Sequence, residues 1–105
     1  MNKTRLAVAL PIISAFTMIG LAQTDVKALY LDKCSICHGA DGMGKTAKGK
    51  KLKVKDVHET LGKMPEAEMI KVVAEGKGKD MDGFGKELKQ EQITALVAYY
   101  RGLGK

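Results

Sequence analysis

The sequence predicts an all-α domain, and three observations carry that prediction. Apolar residues recur at helical spacing in three segments of the 105-residue chain. Glycine-rich or lysine-rich stretches separate these segments. No part of the chain alternates apolar and polar residues as a half-buried strand would. We therefore expect about three main helices joined by loops.

Residues 1–22 have the composition of a secretory signal peptide. Lys3 and Arg5 form a short basic start, and an apolar run follows that ends in small residues up to Ala22. This run is shorter than the ~20 residues that comfortably span a bilayer. We expect cleavage after about Ala22, which leaves residues 23–105 as a single exported, soluble, periplasmic domain without stable membrane insertion. Retention of the segment as an anchor is the alternative.

The first helix of the mature chain is predicted from about Thr24 to His38. Thr24 or Asp25 has the chemistry of a helix N-cap, and Gly39 supplies a C-terminal stop. Residues 39–63 are predicted to be mostly loop, with a capping box at Asp56–Glu59 that opens a short helical turn. The residues with helical spacing in the first helix are Val26, Leu29, Tyr30 and Lys33.

The second and third helices are predicted from Pro65 to Gly76 and from Gln90 to Leu103. Proline favours the first position of a helix, and glycine favours its end. Between the two helices, residues 76–85 contain four glycines, a composition typical of a loop whose backbone lies close to its neighbours. The apolar stripes are Met69, Ile70 and Val73 in the second helix, and Ile93, Leu96, Val97 and Tyr100 in the third.

The most specific motif is Cys34-Ser35-Ile36-Cys37-His38, whose C-x-x-C-H spacing is typical of c-type haem attachment. On a helix, residues three and four apart share one face, so both thiols and the imidazole point the same way. The thiols can then bond the two vinyl groups of a porphyrin while the imidazole reaches the iron. A redox dithiol or a zinc site would use similar residues, but no thioredoxin-like pattern and no second ligand pair accompany the motif.

The chain is basic, with 18 Lys and Arg against 12 Asp and Glu. Removal of Lys3 and Arg5 lowers the net charge from +6 to +4. Aromatic residues are not interleaved with the lysines, which argues against a nucleic-acid surface. A solvated surface explains any single lysine, whereas together the lysines could steer an acidic redox partner. They are Lys45, Lys48, Lys50, Lys51, Lys53 and Lys55, with Lys77, Lys79, Lys86 and Lys89 further along.

These motifs make the mature chain similar to a small monohaem class I cytochrome c, over nearly all of residues 24–105. The likeness rests on Tyr30 before Cys34-Ser-Ile-Cys37-His38-Gly39, on Gly76-Lys-Gly-Lys-Asp80-Met81-Asp-Gly-Phe84-Gly with Leu88, and on Ala98-Tyr99-Tyr100-Arg101-Gly-Leu103. The resemblance implies one haem c attached through Cys34 and Cys37. It also implies that the first and last helices cross, with Tyr30 and either Tyr99 or Tyr100 near the contact.

The resemblance implies that His38 and Met81 are the two iron ligands. A thioether opposite histidine raises the reduction potential. The chain has Asp82 where many relatives carry proline, which predicts a less stiff loop around Met81. The alternative ligands are Met64, Met43, Met69 and His58, for which core packing or a surface position is the competing interpretation.

A second departure concerns the histidine. Relatives often have a proline whose carbonyl accepts the other imidazole N–H, and here residues 48–51 hold only lysines and glycine. We expect another backbone carbonyl within 50–53 to take that role.

With both axial positions filled, the resemblance implies a monomeric one-electron carrier and no enzymatic activity. The alternatives are a haem domain fixed as a subunit of a redox enzyme, and a gas sensor in which Met81 releases the iron.

Overall fold

The computed structural model describes the backbone of residues 16–105 and the side chains from Asp25 onward. This part of the chain contains no strand, only an isolated bridge between Lys77 and Met81. The prediction of an all-α domain is therefore confirmed. Three longer helices are joined by three short ones, in the order α1 (Phe16–Lys33), α2 (Ser35–His38), α3 (Ala47–Leu52), α4 (Val57–Lys63), α5 (Glu66–Glu75) and α6 (Gln90–Leu103).

The first helix differs from the prediction at both ends. Within the described residues it is already helical from Phe16, so neither Thr24 nor Asp25 is its N-cap. It stops at Lys33, where Cys34 departs from helical geometry with φ −118° and becomes the N-cap of α2. Residues 1–15 of the predicted signal peptide lie outside the described residues.

The helix α3 falls in a region that was predicted to be loop. The hydroxyl of Thr46 caps it by accepting a hydrogen bond from the Gly49 amide at 2.9 Å. Lys53 ends it in the left-handed conformation, with φ +61°. The three lysines of α3 and the glycines in and around it give no apolar stripe, so the sequence favoured a loop here.

The short helix predicted at Asp56 is present as α4, but its capping box does not form. Asp56 accepts a hydrogen bond from the His58 amide at 2.9 Å, as an N-cap should. The Glu59 carboxylate does not bond back to it and instead pairs with Lys55 and Lys63, at 3.8 and 3.3 Å.

The second and third predicted helices are confirmed as α5 and α6, and α6 has the predicted bounds. Pro65 is the N-cap of α5 rather than its first residue. At the start of α6 the Lys89 amide donates to the Gln92 side chain at 2.8 Å, which satisfies one free donor of that helix end.

The apolar core lies where α6 meets α1, α5 and α4. Tyr30 of α1 packs against Tyr99 of α6 with ring centroids 5.0 Å apart, so Tyr99 is the aromatic partner at this crossing. The core is small, as expected for a chain of this length. Its buried apolar residues among those described are Tyr30, Val57, Met69, Ile93, Leu96 and Val97.

The helix α3 lies directly against α2, and Gly49 makes this approach possible. A Cβ at position 49 would overlap the Cys37 carbonyl oxygen and would lie 2.6 Å from that of Gly44. Only a hydrogen on the α-carbon fits between these two carbonyl groups.

We expect Gly49→Ala to destabilise the protein by about 2–3 kcal/mol, because backbone cannot yield as a flexible side chain can. Gly62→Ala in α4 is the matched control, since nothing lies within 4 Å of an added Cβ there. It should stabilise the helix by about 0.5 kcal/mol. Denaturant unfolding of both variants tests this, and equal midpoints for the two would contradict the packing described.

Candidate haem-binding site

The helix α2 gathers three of the four predicted site residues on one turn. Cys34 is its N-cap, and Cys37 and His38 follow at positions three and four residues later. The His38 amide donates to the Cys34 carbonyl at 2.9 Å, which closes that turn. Both thiols are half-buried and neither forms a disulfide. The two sulfurs and the imidazole therefore share a helical face.

Burial raises the pKa of the Cys34 thiol to about 11, and the neighbouring Cys37 adds to the increase. Reactive dithiols have the opposite property, since their nucleophilic thiolate is stabilised and its pKa is lowered. The environment of Cys34 thus gives no support to a thioredoxin-like redox pair.

A zinc site also finds no support. Within residues described by the structure, no three His, Cys, Asp or Glu side chains are grouped as metal ligands. A structural zinc needs four such donors, so this motif alone cannot complete its coordination.

The imidazole of His38 is half-buried beside α6. Burial lowers its pKa, which favours the neutral ring, the form that binds metals. The ring of Tyr100 stands edge-on to it with centroids 5.3 Å apart. The Nδ1 atom of His38 is buried without a hydrogen-bond partner. A neutral imidazole with an unsatisfied buried nitrogen, next to two free thiols, fits a covalently attached, histidine-ligated haem.

The carbonyl acceptor predicted for His38 within residues 50–53 is not found, because Nδ1 has no partner. The carbonyl of Lys50 instead accepts from the Lys53 amide at 3.2 Å, where α3 ends. The Gly49 carbonyl beside it accepts from the Val54 amide at 2.9 Å.

Two hydroxyl groups hold the α2 turn in place, and sequence reasoning missed both. Tyr30 donates to the Gly39 carbonyl just after α2, at 2.7 Å. Thr46 donates to the carbonyl of Ile36 at 2.6 Å and to that of Cys37 at 3.4 Å. All three bonds join residues nine or ten positions apart, so no local periodicity reveals them.

Met81 lies in the loop between α5 and α6. Its amide and carbonyl both bond to Lys77, at 3.3 and 2.8 Å, so a tight loop of five residues presents its half-buried side chain. Gly76 starts the loop with φ +89°, a conformation that strongly favours glycine. The structure places Cys34, Cys37 and His38 together on one helical turn. None of the described contacts joins Met81 to His38.

The other candidate ligands are occupied in different ways. His58 is exposed, and its Nδ1 lies 2.7 Å from the Asp56 carboxylate. Met69 is buried in the core, where its sulfur lies 3.8 Å from an Arg101 nitrogen. Met64 is the half-buried C-cap of α4, and Met43 is half-buried beside the turn after α2.

The surface beside α2 is basic. The lysines of α3 are exposed, and so is Ile36, at 61%, between the two cysteines. The Thr46 bond to the Ile36 carbonyl fixes this helix against the motif. Among residues 16–105, no helix is long and apolar enough to cross a membrane.

Comparison with known proteins agrees with this site. Residues 22–99 match the family model described as cytochrome c oxidase, cbb3-type, subunit III. A solved structure, the KustC0563 c-type cytochrome, superposes with a TM-score of 0.69 at 33% identity, over 75% of this chain and 96% of that one.

A curated relative from Thiomonas intermedia (strain K12), named thiosulfate dehydrogenase electron acceptor, is 36% identical over 75 residues. The match covers 67% of this chain but 31% of the relative, so the chain spans about a third of that protein's length.

Members of the matched family carry covalently bound haem c and act in electron transfer, and the two cysteines that such attachment uses are present as Cys34 and Cys37. The all-helical fold, the Cys34–His38 turn and the extent of both matches lead to one assignment: the chain belongs to the cytochrome c family.

Proposed function

We propose that this protein is a one-electron carrier whose single haem c is bonded to Cys34 and Cys37 and ligated by His38 and Met81. The observation that carries the proposal is the Cys34–His38 turn, where two free thiols precede a half-buried imidazole whose buried Nδ1 has no partner. No other described residues combine covalent attachment points with a neutral histidine. The haem, when bound, supplies an iron that changes between Fe(II) and Fe(III).

The choice of Met81 as the second ligand rests on what surrounds the competing side chains. The ring of His58 is held by Asp56 at the surface, and Met69 is part of the core. Met81 has a half-buried side chain on a constrained loop, followed by Phe84 and α6 at the spacing that the family shows. It is therefore the residue best able to reach across to an iron held by His38.

The proposed pair of ligands favours electron transfer over catalysis. An iron held by both His38 and Met81 would leave no open site for oxygen or a substrate, and a thioether ligand would raise its reduction potential. The chain's own residues then act by burying the porphyrin, excluding water and holding the two ligands. We accordingly propose a carrier without enzymatic activity of its own.

We further propose that residues 1–22 are removed on export and that residues 23–105 work in the periplasm as a soluble monomer. Residues 1–22 begin with two basic residues and continue with an apolar run, an order that supports export. Export also agrees with the chemistry, because haem is attached to C-x-x-C-H cysteines outside the cytoplasm.

We propose that partners dock on the basic surface beside α2. Exposed lysines lie on α3, which packs against α2, and α2 carries the exposed side chain of Ile36. This combination suits a partner with both acidic and apolar residues in its interface. The name of the Thiomonas relative makes a dehydrogenase of reduced sulfur compounds one reasonable electron donor.

A second candidate function is that of a haem subunit held permanently by a larger redox enzyme. The description of the matching family model, an oxidase subunit, favours it. The two functions differ in how the protein is recovered from its host. A carrier elutes as a free small protein, whereas a subunit co-purifies with membrane-bound oxidase or dehydrogenase activity.

Met81→Ala should lower the reduction potential on the order of 100 mV, because a one-electron couple changes by 59 mV for each tenfold loss of preferential Fe(II) binding. The ferrous variant should also bind carbon monoxide readily, while the wild type binds it poorly. Potentiometry and carbon monoxide difference spectra measure both effects.

Met64→Ala is the control for this experiment and should leave the potential unchanged. If Met64→Ala lowers the potential and Met81→Ala does not, the ligand assignment is wrong. Ready carbon monoxide binding by the wild type would instead favour the gas-sensing alternative.

The double variant Lys50→Gln/Lys51→Gln should slow oxidation of the ferrous protein by hexacyanoferrate(III) about two- to fivefold at low salt, since fewer positive charges attract the anion. Added salt should shrink the difference. Stopped-flow absorbance measures the rate, and Lys71→Gln on α5 is the control. An equal effect of Lys71→Gln would show that net charge, not the surface beside α2, governs the rate.

A further inference from the structure

The segment that follows Met81 is attached at two places, and the first is the end of α5. The Phe84 amide donates to the Val73 carbonyl at 2.8 Å, and the Gly85 amide donates to that of Ala74 at 2.9 Å. Gly83 permits this approach, since a Cβ there would lie 2.5 Å from the Glu75 carbonyl carbon. Backbone hydrogen bonds thus fix one side of the loop.

The second attachment is an ion pair to the helix that carries the haem-attachment motif. The Lys33 ammonium bonds to the Glu87 carboxylate across 54 positions of sequence. Lys33 is the last residue of α1 and directly precedes Cys34. Glu87 belongs to a turn whose amides at 87 and 88 both donate to the Phe84 carbonyl, at 3.0 and 2.8 Å.

The Lys33–Glu87 ion pair differs from the other ion pairs in the parts of the chain that it connects. Among the described residues, it is the one side-chain hydrogen bond that joins residues 76–89 to α1 or α2. The two ion pairs of Glu59 involve more exposed lysines and join only neighbouring positions within or beside α4. The Lys33–Glu87 pair alone crosses from the loop of the proposed distal ligand to the helices of the proximal side.

We propose that Lys33 and Glu87 are positioning residues that clamp the Met81 loop against the Cys34–His38 turn and so limit release of Met81 from the iron. The proposal rests on the His38/Met81 ligation proposed above. Asp82, in place of a stiffening proline, leaves the loop dependent on its attachments. The side chains of Lys33 and Glu87 are 31% and 49% exposed, so the effect should be modest and should weaken with salt.

The test is a titration of the ferric holoprotein with imidazole, which replaces methionine on the iron. The loss of the near-infrared sulfur-to-iron band measures how much imidazole has bound. Glu87→Gln and Lys33→Gln should each increase the apparent imidazole affinity about two- to fivefold. The charge-swapped Lys33→Glu/Glu87→Lys variant should return towards the wild type. Glu59→Gln, which removes an ion pair remote from the loop, should have no effect.

Unchanged imidazole affinity in both single variants would overturn the clamp, and so would an equal increase in Glu59→Gln. Failure of the swapped variant to recover, with its unfolding midpoint unchanged, would also count against it. A wild-type protein without the near-infrared band would refute the Met81 ligation itself, which distinguishes that failure from failure of the clamp alone.

Discussion

The single helical turn of Ser35–His38 is held by hydrogen bonds from two other parts of the chain and by close contact with α3, and the geometry of the site depends on them. Tyr30 bonds to the carbonyl that follows the turn, and Thr46 bonds to carbonyls within it. Gly49 lets α3 approach without a side chain between the two backbones. Four residues cannot form a stable helix alone, so tertiary contacts must supply the stability that nucleation costs.

Under the proposed function, this turn presents three groups to one planar ligand. Both thiols would need the correct direction for attachment, and His38 would have to meet the iron at the same time. The small apolar core of the described residues gives such a ligand a second role, since a porphyrin adds apolar surface that the chain lacks. In this interpretation the haem is both the redox centre and a large part of the core. Folding and haem attachment are then coupled.

Much of the fold was predictable from local signals. The stripe of Ile93, Leu96 and Val97 gave α6 its correct bounds, and the C-x-x-C-H spacing located the site turn. The structure differs from the prediction mainly in the extent of α1 and in the presence of α3. The backbone of α1 is helical through Thr24 and Asp25, whose side chains are typical of N-caps. Helix α3 depends on a cap by Thr46 within a glycine-rich region.

The partner of the His38 ring illustrates the limit of sequence reasoning. A carbonyl within residues 50–53 was the expectation, yet the buried Nδ1 of His38 has no hydrogen-bond partner. Likewise, the pairing of Lys33 with Glu87 joins positions 54 residues apart, and charge alone does not select one acidic partner among twelve. Such choices are made by tertiary packing, which periodicity and spacing do not encode.

The absorption spectrum of the purified exported protein, recorded in the ferric state and extended into the near infrared, tests the central claim most directly. The account predicts a c-type haem spectrum that includes the sulfur-to-iron charge-transfer band of methionine ligation. A c-type spectrum without that band would contradict the assignment of Met81 as the sixth ligand. A protein without haem would contradict the whole account and leave Cys34 and Cys37 as a simple dithiol.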